Sequence, residues 1–154
     1  MKTVKTWVII LLLALLDQAS KMIVVRLIPF QESIVVVPRF FNLTHLYNTG
    51  AAFGMLHDSN LLFILVSTVA FVSLVLMRRH FEGALMHWGW MLLLSGIIGN
   101  VTDRLRLGHV VDFLDFQFGS YHWPSFNVAD SCICIAAGLF LITSFSSAPK
   151  ADKR

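Results

Sequence analysis

Apolar residues run almost unbroken through four stretches of this chain, and the polar residues collect between them. The first stretch is Trp7 to Leu16, continuing past Asp17 and Lys21 to about Leu27; the second is Leu61 to Met77. The third runs from about Ala84 to Ile98, with Trp88 and Trp90 near its start, and the fourth from Val128 to about Phe145. A helix that crosses a bilayer needs roughly 20 mostly apolar residues, with flanking polar side chains reaching the interface. The pattern therefore predicts four transmembrane helices, over about 7–26, 61–78, 83–100 and 128–146, in a single domain spanning 1–154.

The segments between these runs are patterned too. From about Ile28 to Asn60 the chain is too long for a structureless connection. Ile34-Val-Val-Val-Pro38 and Phe40-Phe-Asn-Leu-Thr-His-Leu-Tyr47 are rich in β-branched and aromatic residues and predict short strands. Asn48-Thr-Gly50 reads as a turn leading into Ala51-Ala-Phe-Gly54. The expected product is a small sheet on the outer membrane surface, with Phe40, Phe41, Tyr47 and Phe53 at the lipid interface or packing the sheet. From Asn100 to about Phe126 lies a second outer segment, with Gly108 and Gly119 as turn positions. Loose alternation over Val110–Phe116 predicts a short strand carrying Asp112. Pro124 precedes the fourth helix, and Asn127 is placed to cap it. The fold class is thus a mainly α membrane protein: four transmembrane helices with a small β-sheet and loops on the outer face.

Composition removes the soluble alternative. The chain is 56% hydrophobic and 14% charged, with mean hydropathy +0.73. A soluble domain carries about 25% charged residues, so a buried soluble bundle would lack its charged surface. The net charge of +3 sits at the ends of the apolar runs, which marks topology and argues against nucleic-acid binding. Lys2, Lys5, Arg78, Arg79, Lys150, Lys153 and Arg154 fall on one side. Lys21, Arg26, Arg39, Arg104 and Arg106 fall on the other, where Lys21 and Arg104 have the nearby acids Asp17 and Asp103. Both termini are therefore expected in the cytoplasm. The basic start and apolar middle of the N-terminal run resemble a secretory signal peptide. Asp17 interrupts that run and no small-x-small site follows, so cleavage is not expected. Cys132 and Cys134, two apart on a helix, face different ways and read as small core residues rather than a disulfide.

Asp112 and Asp130 carry the candidate chemistry. Acids at a membrane edge are costly and functional by default. Two that share one proton are forced apart in pKa, so one stays protonated while the other ionises. The ionised one takes a proton from water and its neighbour hydrogen-bonds the scissile carbonyl. Asp17 and Lys21 are four apart and share a helix face as an ion pair. Asn100 and Asp103, three apart, share another if that segment is helical, beside the Arg104 fork. A metal site built from His109, Asp112, Asp115 and His122 is the rival, although no His-Glu-x-x-His or paired-thiolate pattern occurs. His45, His57, His80 and His87 are scattered. Ser20, Ser95 and Ser131 have no obvious base and no Gly-x-Ser-x-Gly elbow. A non-enzymatic proton- or cation-coupled transporter subunit is a further alternative, although its acids would lie within the spans rather than gather at one end.

Five motifs occur in order: Asp17-Gln-Ala-Ser-Lys21, Asn48-Thr-Gly-Ala-Ala-Phe53, Gly99-Asn-Val-Thr-Asp-Arg104, Gly108-His-Val-Val-Asp-Phe113 and Phe126-Asn-Val-Ala-Asp-Ser131. On these the chain resembles the lipoprotein signal peptidases, or signal peptidase II, over nearly its whole length. It departs at Ser95-Gly-Ile-Ile98, where the family more often has small residues. The resemblance implies an aspartyl endopeptidase of the bacterial cytoplasmic (inner) membrane. Its implied substrates are diacylglyceryl-modified prolipoproteins, cut just before the lipidated cysteine near the outer face. It implies no cofactor and no metal, membrane lipid as surroundings, and a monomer. Carried over by residue, it implies Asp112 and Asp130 as the dyad and Asn48 and Arg104 as substrate-binding groups. Asp17, Lys21, Gly50, Asn100, Asp103, Asn127 and Ala129 become supporting residues. Asp103 competes with Asp112 for the first position; Asp112 is preferred because Asp103 adjoins Arg104 as a partner.

Overall fold

The structure, a computed structural model, describes residues 2–50 and 59–146. Phe53, His57, Lys150, Lys153, Arg154 and the stretch 51–54 lie outside the described residues. Four helices make up most of the rest: α1 (Lys2–Leu27), α2 (Asn60–Leu76), α3 (Ala84–Leu107) and α4 (Val128–Ser146). Of these, α1, α3 and α4 are long and apolar enough to cross a membrane. Helix α2 is mostly apolar but has 17 residues, and none of them is buried. A short 3-10 turn, Arg78–His80, joins α2 to α3.

Helix α3 corrects the sequence reading. Its apolar run ends near Ile98, but the helix continues through the charged residues to Leu107. Asn100, Asp103 and Arg104 are therefore helical, each with a polar partner that offsets its burial. The helix stops at Gly108, whose left-handed φ of 80° closes the end by an N–H bond to the Arg104 carbonyl.

Helices α3 and α4 approach closely because small residues line the contact. A Cβ on Gly96 would lie 2.5 Å from the Ala129 carbonyl oxygen, and one on Gly99 would lie 2.6 Å from Asp17 Oδ2. The isoleucines of the Ser95–Ile98 stretch do not block this approach. Ile97 is buried, and Ser95 is satisfied by donating to the Met91 carbonyl.

Two apolar clusters hold the ends. At one, Ile10, Trp90, Met91 and Leu94 form a core, with Trp7 edge-on to Trp90 at 5.9 Å. Phe81 meets Phe140 there at 5.6 Å. The start of α1, the α2–α3 connection and the later half of α4 thus share one end. At the other, Val24, Ile28 and Phe113 anchor the sheet to α1.

That sheet has four antiparallel strands in chain order: β1 (Ser33–Val37), β2 (Phe41–Asn48), β3 (Val110–Phe118) and β4 (Tyr121–His122). The first three match the patterned segments; β4, two residues beyond the Gly119 turn, was not foreseen. Pairing of β2 with β3 sets Leu46 opposite Asp112, after an irregularity between Leu43 and Leu46. Strand β1 is exposed at every position. Phe40 and Tyr47 are also exposed, while Phe41 stacks on Phe116 at 4.8 Å. Phe113 and Leu114 both donate to the Phe126 carbonyl, which pins the chain entering α4 against β3.

Candidate active site

The start of α4 is built by reciprocal capping. The Asp130 amide donates to Asn127 Oδ1 at 2.9 Å, and the Asn127 amide donates to Asp130 Oδ2 at 3.3 Å. Ala129's amide donates to Asp17 Oδ1 at 2.8 Å, across from α1. These bonds satisfy first-turn N–H groups that a helix start leaves open. They also fix Asp130 in the first turn, where the helix dipole favours negative charge.

Asn127 is fully buried and links the two aspartates. Its side-chain nitrogen donates to Asp112 Oδ1 at 2.8 Å while its side-chain oxygen holds the Asp130 amide. Asp112 projects from β3, and its other oxygen accepts from Asn48 Nδ2 at 2.9 Å. Asp130 Oδ1 accepts from Asn100 Nδ2 at 2.8 Å. Each carboxyl thus receives a separate asparagine amide, with Asn127 between them. Burial, and then the charge of Asp130, push the Asp112 carboxyl up to about 7; hydrogen bonds from Asn48 and Asn127 act against that rise.

Lys21 forms the floor. Its ammonium lies 2.8 Å from Asp17, 2.8 Å from Asp103 and 3.1 Å from the Asn100 side-chain oxygen. Asp103 is completed by Gln18 Nε2 at 2.8 Å and the Val111 amide at 3.3 Å. The sequence reading had Asp103 occupied by Arg104. It is occupied, but by Lys21 and Gln18, because successive helical residues point in different directions. Arg104 instead donates to the Gly50 carbonyl at 3.2 Å and lies over the Phe63 ring at 4.8 Å. Gly50 in turn donates its amide to Asn48 Oδ1.

A cleft of about 500 Å³ opens beside these groups. Asn48, Gly50, Arg104 and Asp130 give it a polar edge; Phe63, Trp123, Pro124, Phe126 and Ile133 make the rest apolar. Cys134 also lines it, so this cysteine faces the cleft rather than a core, whereas Cys132 is buried. All eleven residues singled out from sequence lie in this network or its cleft. Gln18, Asn60, Phe63 and Trp123 were missed. Gln18 sits inside the first motif, and Asn60, which donates to the Arg104 carbonyl, is the polar residue that opens an apolar run. The acidic loop does not converge as a metal site would: His109 packs on Tyr47 at 3.8 Å, and Asp115 pairs with His122 and Asn42. Among the described residues no three metal-ligating side chains gather.

Comparison with known proteins identifies the family. Residues 9–146 match the family model described as signal peptidase (SPase) II. The chain belongs to the signal peptidase II family. It is 43% identical to a lipoprotein signal peptidase of Aeromonas hydrophila over 95% of this chain and 92% of that protein. One from Syntrophotalea carbinolica is 42% identical over 89% of this chain and 91% of that one. A solved bacterial membrane enzyme, determined by the in meso method at 2.3 Å, superposes with a TM-score of 0.88. It is 29% identical and covers 97% of this chain and 93% of its own. Membership makes this a membrane peptidase of the aspartic class and leaves the transporter reading without support.

Proposed function

We propose that Asp112 and Asp130 are the catalytic pair of a peptidase that removes the signal peptide from diacylglyceryl-modified prolipoproteins. Family membership and the names of the relatives support the activity. The single observation that carries the residue assignment is the Asn127 bridge, which hydrogen-bonds both carboxyls, Asp112 through its side chain and Asp130 through its amide, at the edge of the cleft that Asp130 lines.

Asp112, whose carboxyl is pushed up to about 7, keeps its proton and donates it as a hydrogen bond to the scissile carbonyl. Asp130, with the α4 start and two N–H donors around it, is the better support for a charge and takes a proton from the attacking water. Water attacks the carbonyl carbon, and the proton passes from Asp130 to the leaving amine. Arg104 and Asn48 hold the substrate backbone at the polar edge, and the apolar wall takes the residues flanking the bond. Asp17, Lys21, Gly50, Asn100, Asp103, Asn127 and Ala129 hold these groups in place. Carboxylates and water suffice, without metal or cofactor.

In this reading α2 joins the other three helices as a fourth span, slightly short and completed by its polar ends. Both termini lie in the cytoplasm of the inner membrane, the enzyme acts as a monomer, and the sheet lies at the outer face. The exposed Ile34, Val35, Val36 and Val37 support contact between that sheet and lipid.

The experiment is a gel-shift cleavage assay on a lipidated prolipoprotein, run with metal chelator present. Asp112→Asn and Asp130→Asn are expected to accumulate in the membrane and cleave nothing. Full activity in either purified variant overturns the pair.

A further inference from the structure

A second cavity, of about 450 Å³, lies at the end of the bundle away from the carboxylates. Arg78 and Arg79, on the turn between α2 and α3, line it together with His87, Glu82, Leu76 and Phe81. Arg78 is held in place: its guanidinium carbon sits 5.7 Å from the centre of the fully buried Trp90 ring. His87 stacks on that same ring at 5.8 Å and is hydrogen-bonded to Thr6 at 3.2 Å. Neither arginine forms an ion pair among the described residues, although Glu82 shares the cavity. The cavity lining therefore carries two arginines against one glutamate. Helix α3 begins here without a side-chain cap, which adds to the positive potential.

Depth decides what such a cavity meets. His87 and Arg104 are 17 positions apart on α3 (104 − 87), or about 25 Å at the helical rise. The hydrocarbon core of a bilayer is about 30 Å thick. With the carboxylate end at one interface, this cavity lies at the opposite one, among the phosphates of the other leaflet. Guanidinium forks suit phosphate oxygens. The exposed Leu76 at the cavity's rim offers acyl chains an apolar path along α2.

We propose that this cavity binds the phosphate of an anionic phospholipid of the leaflet opposite the catalytic end. The chemistry is that of a phosphodiester carrying net negative charge; Glu82 limits the site's strength by competing for the arginines.

The test is lipid retention by native mass spectrometry of the purified full chain in detergent, with dioleoyl phosphatidylglycerol or phosphatidylcholine added. The expected result is selective retention of phosphatidylglycerol. Arg78→Gln with Arg79→Gln should weaken that retention about 25-fold, taking about fivefold per arginine. Arg26→Gln, the loss of one arginine at the other end, should leave it unchanged. Glu82→Gln should strengthen it, a gain that misfolding cannot imitate. Absence of selectivity in the unaltered chain, equal loss in Arg26→Gln, or no gain in Glu82→Gln overturns the proposal. Displacement by millimolar inorganic phosphate or glycerol phosphate overturns the lipid assignment in favour of a soluble phosphate.

Discussion

Lys21 and Asp103 meet at 2.8 Å with each side chain only 3% exposed. A buried pair of this kind costs little more than it returns while intact, but removing one partner strands a charge. Lys21→Met, which leaves both Asp17 and Asp103 without their cation, is therefore expected to lower stability by about 3–5 kcal/mol, and Asp103→Asn, which leaves Lys21 paired with Asp17, by less. Thermal unfolding in detergent and membrane abundance check this. A well-folded Asp103→Asn protein with no cleavage would instead restore Asp103 as the rival to Asp112.

The pH dependence follows from Asp112. Its carboxyl is raised from 3.8 to about 7, so the folded protein holds a proton there that the unfolded chain releases. Stability from this group is fully present below about pH 4 and is lost as pH rises through about 7. Cleavage that needs the protonated form should fall along the same alkaline limb. Asn48 favours the ionised form, so Asn48→Ala should move that limb to higher pH while lowering the rate. A pH–rate profile of both proteins reads the shift; an unmoved or downward limb sinks the assignment.

Replacing Asp112 by Asn removes the titration altogether. Above pH 7 the variant should be more stable than the parent, by up to about 4 kcal/mol for the full shift at 1.36 kcal/mol per unit. Unfolding midpoints at pH 5 and pH 8 measure the difference, which should be larger at pH 8.

Gly99→Ala places a methyl 2.6 Å from Asp17 Oδ2 and 3.0 Å from the Ala129 Cβ. Neither neighbour can retreat, since Asp17 holds Lys21 and the Ala129 amide. A loss of about 1–3 kcal/mol is expected from overpacking. Gly119→Ala, in open space but with φ 65°, should cost less and leave cleavage intact. Cleavage rates and unfolding midpoints of the two variants, compared side by side, check the order.

Asn127→Ala should act on both stability and rate. It removes the cap of α4, worth about 1 kcal/mol, and the bond that orients Asp112. Asn127→Asp keeps the cap but buries a third carboxylate between the other two and loses the amide donor to Asp112, so it should recover neither stability nor cleavage. Rescue of both by Asp would mean that Asn127 serves only as a cap.

Much of this was legible in the residues because bilayer and sheet impose simple periods. The strands around Val35, Leu43 and Asp112 follow from β-branched and aromatic runs, and the helices from the length of their apolar runs. The far end of α3 was not legible. Hydropathy falls at Asn100, and only Lys21, Gln18 and Gly50, distant in sequence, explain why Asn100, Asp103 and Arg104 can stay helical and buried. Which neighbour Asp103 chooses is likewise a property of helix direction rather than of adjacency. The cleft-facing position of Cys134 needed α4's rotation, which an evenly apolar helix does not reveal.

The capping of α4 by Asn127 and Asp17 has a consequence for biogenesis. Asp130 lies in the fourth of the described helices, whereas the groups that hold it and its neighbour Ala129 come from α1, α3 and the residue just before α4. A chain still emerging from the ribosome carries Asp112 without its partner and Asp17 without the amide it accepts. With Asp112 and Asp130 as the proposed pair, hydrolytic competence would arrive only once α4 has joined the other elements.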